Sequence, residues 1–432
     1  MGIGDNKIEY VVSAPGKVIL FGEHSVVYKK SALCTSINKR LYVMLKTSTE
    51  NKIHISFPQI STELNCNLEQ FEKVVKKNCP LQNSTLQSIL ENPNLINHDE
   101  YLESLKNDLE TLGVNTFDLK DKVGAALMAF MFAMRGICHS LQCDLVPFSL
   151  QVKSELEVGA GTGSSAAFAV AIAGSIFYYR KCLEMNKTLG FQNSSNFSPK
   201  QEQDIGVATE SPTKIFSNEE IKIINKWAFC MEKLTHGRPS GIDNTTCTFG
   251  SVVVTCQNQD HPGELNFNIL KNVPEISLLL ISTGVSRNTS NLVAKVKQLR
   301  DRNCAVVDAI MNAMDVIATE ACNTLDSLSV KSLNDTDILE LYKTLGGLME
   351  LNHGLLRTLG VSHESLENIV DVTSRHGLTS KLTGAGGGGY AITLLPPNMS
   401  RGLIETLENE LGPTFKVIEV SIAQEGVRFE KL

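Results

Sequence analysis

The chain has 432 residues, of which 42% are hydrophobic and 20% charged, and its formal net charge is −7. This length allows two or three domains, and the negative charge gives no general attraction to nucleic acids or anionic membranes. Eleven cysteines are scattered without a Cys-x-x-Cys pair, and no basic and then apolar segment opens the chain, so we expect a soluble, cytoplasmic protein with reduced thiols and without structural zinc.

The first 56 residues are rich in β-branched side chains and predict several strands. Within them, "SAPGKVILFGEHSVVY" (13–28) places Lys17 after a Pro-Gly turn and sets Glu23 and His24 between two apolar runs. Charged groups among apolar neighbours cost free energy unless they have partners. The pair is therefore either a satisfied structural pair or part of a functional site.

Two polar segments, 57–122 and 185–217, read as insertions. The first contains "YLESLKNDLETLG", which predicts an amphipathic helix that ends at Gly113. The apolar stretch at 123–141 carries Arg135 and His139. Those two residues favour a buried core helix over a membrane span.

A predicted strand, "FSLQVKSEL", leads into "EVGAGTGSSAAF" (157–168) and then into a helix of small residues. Glycines let the backbone approach a ligand closely, and the unpaired N–H groups and dipole of a helix start attract anions. Ser164 and Ser165 could cap this helix, or bind a phosphate or a metal ion. The segment is either a phosphate site or a glycine-rich turn.

A predicted helix bearing Glu232 ends at "HGRPSGIDN" (236–244), a rigid turn that presents Asp243. Asp243 could be a catalytic carboxylate or cap the turn, and Glu232 could be an ordinary surface acid. The composition changes near residue 270, where we expect a domain boundary. The remainder predicts helices near 290–325, 335–358 and 363–376, with strands at "YAITLL" and "FKVIEVSI".

The order of strands and helices lacks regular βαβ alternation and predicts an α+β protein. Near the end, "KLTGAGGGGY" (381–390) has five glycines in six positions. Such a run lets the backbone pass close to a ligand or another segment, or forms a β-bulge or tight loop.

Together and in this order, the segments at 13–28, 157–168, 236–244 and 381–390 resemble the GHMP kinases, and among them the members that phosphorylate mevalonate. The resemblance covers most of the chain. It implies a two-domain fold, with a ribosomal-S5-like α/β domain at 1–270, a ferredoxin-like α+β domain at 271–432 and the active site in the cleft between them.

The implied reaction is ATP-dependent phosphorylation of the terminal hydroxyl of (R)-mevalonate to 5-phosphomevalonate, in isoprenoid and sterol precursor synthesis. The alternatives are another GHMP small-molecule kinase, acting on phosphomevalonate or a sugar, and a catalytically silent sensor of the same fold. Intact Lys17, Ser165, Glu232 and Asp243 favour an active enzyme. The family further suggests a homodimer and, as a possibility, feedback inhibition by isoprenoid diphosphates.

The resemblance also assigns residues. Asp243 takes the proton of the substrate hydroxyl or positions that hydroxyl, Lys17 lies beside it, and Ser165 and Glu232 bind Mg²⁺. The ATP phosphates are bound by Gly159, Ala160, Gly161, Thr162, Gly163, Ser164, Ser165 and Ala166. The substrate is contacted by Lys17, Glu23, His24, Asp243, Thr289 and Ala385.

The sequence departs from the family pattern at a few positions. In the glycine segment, Thr162 replaces a leucine, and Glu157 and Val158 replace prolines. Arg238 replaces an asparagine of the family pattern, and residues 284–286 depart from the Lys-Val-Pro segment that is typical of the family. None of these changes removes a catalytic position, but we expect Glu157 to repel phosphates mildly and Thr162 to alter nucleotide affinity.

Overall fold

The computed structural model describes residues 8–80, 87–114, 121–139, 141, 143–157, 161–192, 216–236, 239–257, 265–330, 333–397, 399 and 401–431. In these residues the chain forms two β-sheets with helices packed against them. The larger sheet has the strand order β12-β1-β2-β5-β3-β4, with β6 joined to β2 and β7 joined to β6. Its strands are Glu9–Phe21 (β1), Ala32–Thr47 (β2), Lys52–Phe57 (β3), Thr62–Asn67 (β4), Phe148–Ser154 (β5), Val252–Gln257 (β6), Leu265–Leu270 (β7) and Arg428–Glu430 (β12).

The smaller sheet is antiparallel and has the order β11-β8-β10-β9. Its strands are Ser277–Ser282 (β8), Thr379–Leu382 (β9), Tyr390–Leu394 (β10) and Lys416–Ser421 (β11). The chain leaves the larger sheet after β7 and returns at its C-terminus, where β12 pairs with β1. The two sheets and their helices confirm the expected mixed α and β architecture.

The helices that precede β6 are Leu68–Val75 (α1), Gln87–Glu91 (α2), His98–Thr111 (α3), Lys122–Ile137 (α4), Ser164–Gln192 (α5), Asn218–His236 (α6) and Ile242–Phe249 (α7). Those that follow β8 are Thr289–Arg302 (α8), Cys304–Leu328 (α9), Asp335–Thr358 (α10), Glu364–Arg375 (α11) and Arg401–Leu411 (α12).

Helix α4 is buried along most of its length, which confirms the core helix predicted at 123–141. One helical stretch, Ser164–Lys187 within α5, is long and apolar enough to cross a membrane, but 72% of its most apolar window is buried inside the protein. It packs against β1, β2 and neighbouring helices. Core burial accounts for its composition, because a helix enclosed on all sides is apolar all round.

Several elements differ from the sequence-based expectations. The segment 57–122, read as an insertion, contributes a strand to the larger sheet: after a short 3₁₀ helix at Pro58–Ile60, β4 lies at the edge of that sheet and alternates buried and more exposed residues. The helix expected at 290–325 is two helices that meet at Asn303. Helix α5 extends into the second polar segment as far as Gln192, and residues 193–215 lie outside the described part.

Candidate active site

Lys17 and Asp243 form an ion pair with 2.8 Å between Nζ and Oδ1. Lys17 lies on β1 directly after a break in its register with β2, and Asp243 lies in the first turn of α7. Gly241 precedes that turn with a φ of 84°, a left-handed conformation that glycine adopts without steric cost. The side chain of Lys17 is 7% exposed and that of Asp243 is 37% exposed, so a substrate can reach the carboxylate.

The pKa of Lys17 reflects two opposing effects. Burial lowers it, because a low-dielectric interior disfavours the charged form. The adjacent Asp243 carboxylate outweighs that penalty and holds the pKa above its ordinary value. Lys17 is therefore a permanent positive charge beside the exposed carboxylate at neutral pH.

Glu232, on α6, belongs to the same electrostatic cluster. Its residue is 4% exposed, and burial together with the negative charge of Asp243 raises its pKa to about 8, with Lys17 acting in the opposite direction. A buried carboxylate near a second carboxylate is a natural place for a cation.

Thr162 and Gly163, the last residues of the glycine segment before α5, lie against Lys17. The backbone N–H of Lys17 donates to the carbonyl of Thr162 at 2.9 Å. A Cβ added at Gly163 would lie 2.6 Å from Cγ of Lys17, and Gly163 has a φ of 75°. Only glycine therefore fits there, and the start of α5 is held close to the Lys17–Asp243 pair.

The other residues expected to bind ATP are Gly159, Ala160, Ser164, Ser165 and Ala166. Ser164 begins α5, Ser165 is exposed and Ala166 is buried, whereas Gly159 and Ala160 lie outside the described residues, as does Arg238. Thr162 is buried, and its hydroxyl makes no hydrogen bond within the described part of the chain.

Glu23 and His24 face different partners. Both oxygens of the Glu23 carboxylate are engaged inside the protein, by Nζ of Lys381 and by Nδ2 of Asn352 at 2.9 Å from Oε2. His24, whose φ is 61°, places Nε2 2.9 Å from the carbonyl oxygen of Ala385. Two of the residues expected to contact the substrate, His24 and Ala385, thus touch each other, while Glu23 is 1% exposed.

Arg287 is a site residue that the sequence analysis missed. Its side chain crosses the space that a Cβ would need at Gly161, where Nη2 would be only 1.4 Å away, and at Gly384, where Nη1 would be 2.8 Å away. Its Nη1 donates to the carbonyl of Thr383 at 3.0 Å. Burial lowers the pKa of Arg287, while the carboxylate of Asp243 raises it.

The signal for Arg287 was available, since it stands two residues before Thr289 in "SRNT". Thr289 begins α8 and is exposed. The pattern identified the segment, but only the folded chain shows an arginine lying between the glycine segment at 161 and the glycine run at 384–389. The site is therefore lined by two cations, Lys17 and Arg287, and two carboxylates, Glu232 and Asp243.

Within the described residues, no cluster of three or more His, Cys, Asp or Glu side chains forms a ready metal cage. Mg²⁺ does not require one, because it is usually held by one or two carboxylates with water and substrate phosphates. The oxygen donors of Glu232 and Asp243, with serine hydroxyls at the start of α5, fit that coordination chemistry.

Two family models match the chain: the GHMP kinases N terminal domain at residues 126–195 and the GHMP kinases C terminal at residues 338–409. In fold, the chain resembles the mevalonate kinase of Methanococcus jannaschii, with a TM-score of 0.61 at 20% identity, covering 96% of this chain and 99% of that one. It also resembles the L. major mevalonate kinase in complex with R-mevalonate, with a TM-score of 0.60 at 19% identity, covering 98% and 99%.

Relatives in sequence cover almost the whole chain. The mevalonate kinase of Mus musculus is 34% identical over 419 residues, which are 96% of this chain and 94% of the relative. The mevalonate kinase of Arabidopsis thaliana is 32% identical over 396 residues, 90% of this chain and 91% of the relative. With this identity along its whole length and with both GHMP domains matched, the chain belongs to the mevalonate kinase family of the GHMP kinases.

Proposed function

We propose that the protein transfers the γ-phosphoryl group of ATP to the terminal hydroxyl of (R)-mevalonate. The observation that carries the proposal is the Lys17–Asp243 ion pair directly beneath the glycine segment that leads into α5. Phosphoryl transfer depends on positioning and on neutralising charge, and this arrangement puts a base and a cation next to an anion-binding helix start. The names of the relatives, and R-mevalonate in the L. major structure, support the choice of acceptor.

Asp243 acts on the hydroxyl. An alcohol is too weak an acid to ionise at neutral pH, so a carboxylate must take its proton as the bond to phosphorus forms. The side chain of Asp243 is 37% exposed and can accept that proton. Lys17, which remains protonated, stabilises the negative charge that develops on the oxygen.

The ATP phosphates bind along the glycine segment and the first turn of α5, from Gly159 to Ala166. Backbone N–H groups at this helix start and the helix dipole provide the anion site. Arg287 adds a second positive charge where it passes Gly161. The carboxylate of Asp243 raises the pKa of Arg287, which supports a place for this arginine near the transferring phosphate.

Glu232 and Ser165 hold Mg²⁺. When bound, the ion neutralises charge on the transferring phosphates. Burial of the Glu232 carboxylate beside Asp243 supports this assignment, because two acids in a low-dielectric site are stabilised by a cation. The acceptor pocket contacts the substrate through Lys17, His24, Asp243, Thr289 and Ala385. Glu23, which is buried, completes the set of proposed substrate-binding residues.

The organisation of the whole protein is part of the same proposal. Residues 1–270 and 271–432 form the two domains, and each contains one of the two sheets apart from the returning strand β12. The protein works in the cytoplasm, which the eleven free cysteines support. We also propose that the protein forms a homodimer and is inhibited by isoprenoid diphosphates. Both proposals rest on the family resemblance alone.

The test is ADP release by the purified protein with mevalonate, phosphomevalonate, galactose and homoserine as separate acceptors. We expect turnover with mevalonate and at most traces with the other three. Preferred turnover of phosphomevalonate or galactose would assign another GHMP activity. An absence of turnover with all four, with ADP still bound, would identify a silent protein of the same fold.

A further inference from the structure

Glu157, which stands where the family has a proline, is held by two residues of the smaller sheet. The hydroxyl of Tyr390 donates to Oε2 of Glu157 at 2.7 Å, and Nζ of Lys416 lies 2.6 Å from Oε1. These two contacts lower the pKa of Glu157. The carboxylate that we expected to repel phosphates is thus neutralised by Lys416 and directed away to the other sheet.

The two partners come from neighbouring positions in that sheet. Tyr390 on β10 and Lys416 on β11 are both in register with Ser282 on β8, so the three residues form one row across the strands. Tyr390 is 2% exposed and is held in place by packing, whereas the side chain of Lys416 is 63% exposed. The packed ring of Tyr390 fixes the position of its hydroxyl, and the exposed Lys416 ammonium adds a screened attraction to the Glu157 carboxylate, whose side chain is 42% exposed.

The row formed by Ser282, Tyr390 and Lys416 adjoins residues 283–288, the segment that carries Arg287. The N–H of Thr283 donates to the carbonyl of Gly389 at 2.8 Å, and the N–H of Gly389 donates to the carbonyl of Val285 at 3.0 Å. A Cβ at Gly389 would lie 3.1 Å from Cδ of Arg287. Two described residues of the glycine segment thus have contacts in this region: Glu157 with Tyr390 and Lys416 of the smaller sheet, and Gly161 with the side chain of Arg287.

We propose that Glu157, Tyr390 and Lys416 form a tether that holds Glu157, the first residue of the glycine segment, against the smaller sheet and thereby contributes to the affinity for ATP. The inference rests on the proposed function, since it assigns ATP to that segment. Prolines restrict the backbone directly by fixing φ. In this sequence Glu157 and Val158 lack that restriction, and the hydrogen bonds of Glu157 to Tyr390 and Lys416 fix the position of residue 157 instead, which reduces the entropy lost on binding. All three are positioning residues, because none of them contacts the reacting atoms.

The test compares Tyr390→Phe, Glu157→Gln and Lys416→Met with the native protein. We expect the KM for ATP and the Kd for ADP, measured by calorimetry without mevalonate, to rise roughly three- to tenfold in Tyr390→Phe and Glu157→Gln. Lys416→Met should have a smaller effect that vanishes at high salt. kcat and the KM for mevalonate should stay close to native values, and Lys343→Met, which breaks an exposed ion pair with Glu340, is the matched control.

The double variant Glu157→Gln/Tyr390→Phe distinguishes a tether from two independent contributions. A tether predicts that the double variant is no weaker in ADP binding than the worse single variant. Unchanged ADP affinity in the single variants, or fully additive losses in the double variant, would overturn the inference. The calorimetric arm separates the two proposals: a native chain that binds ADP tightly but does not turn over mevalonate contradicts the proposed function and leaves the tether to be judged by the variants.

Discussion

Glu23 and Lys381 form an ion pair in which both side chains are completely shielded from solvent, although 358 residues separate them in the sequence. The pair joins the end of β1 to β9 of the smaller sheet. Two further contacts run beside it: Thr383 donates to the carbonyl of Ile19 at 2.8 Å, and His24 meets the carbonyl of Ala385. The segment at 19–24 is thus fastened to the segment at 381–385.

Removing one member of this pair should destabilise the protein strongly. Glu23→Gln and Lys381→Met each leave a buried charge without its partner, which costs about 3–5 kcal/mol in free energy of unfolding. The double variant leaves neither charge and should be more stable than the single variants. Urea unfolding followed by circular dichroism measures all three, and a double variant as unstable as the sum of the singles would contradict the interpretation. Glu69→Gln, which removes an exposed ion pair with Lys73, serves as the control.

Replacing Asp243 by asparagine should reduce kcat for mevalonate phosphorylation by about 10²–10⁴-fold, the usual contribution of a general base. The amide keeps the shape of the side chain but cannot accept the hydroxyl proton. The Kd for ADP should change little, because the role proposed for Asp243 is at the acceptor hydroxyl. Coupled ADP release and calorimetry separate the two quantities, with the exposed Asp371→Asn as the control. Native kcat in Asp243→Asn would exclude Asp243 as the base.

Gly161→Ala should weaken ATP binding through a collision with Arg287. The new Cβ would lie 1.4 Å from Nη2 of Arg287, so the arginine must move or the segment must shift, at a cost of about 1–3 kcal/mol. The expected rise in the KM for ATP is about tenfold or more. Gly377→Ala is the matched control, because Gly377 has a similarly positive φ of 72° but nothing within 4 Å of its Cβ position. A KM for ATP in Gly161→Ala that equals the KM of Gly377→Ala would contradict the predicted collision with Arg287.

Lys17 and Asp243 were singled out from local sequence patterns, and the fold brings their side chains together. Asp243 follows Gly241 in a short segment whose turn chemistry is legible in the chain itself, whereas the Pro-Gly turn predicted before Lys17 is wrong, because residues 15 and 16 form a bulge within β1. The separation of 2.8 Å between Lys17 and Asp243 follows from the register break in β1 and from the start of α7. The buried helix at 123–141 was predictable for a similar reason, because apolar residues predominate throughout the sixteen residues of α4.

The features that sequence reasoning missed depend on contacts between distant segments. Neither Lys381 nor Arg287 belongs to a local pattern that names its partner, and their roles emerge only when β9 and the segment before α8 pack on the rest of the site. Glu157 was interpreted by its charge alone, as a repulsive neighbour of phosphate. Tyr390, 233 residues away, could not be anticipated as its hydrogen-bond donor.

The stability of the protein should depend on pH through its buried histidines. Burial lowers the pKa of His24, His98, His139 and His353 below the ordinary value of 6.5. The unfolded chain therefore binds more protons than the folded chain in the range between the two pKa values. The stability is fully present above about pH 6.5 and decreases as the pH falls through the folded-state values. We expect a lower Tm at pH 5.5 than at pH 7.5.

His139 provides the specific test of this dependence. Burial, and then the nearby charges of Arg135 and Arg180, lower its pKa. These effects disfavour a protonated ring, so part of the loss of stability at pH 5.5 should originate there. His139→Gln places a neutral side chain at that position and should narrow the difference in Tm between pH 7.5 and pH 5.5, even if it lowers both values. A difference as large as that of the native protein would show that His139 does not contribute, and a wider one would contradict the sign derived from its burial.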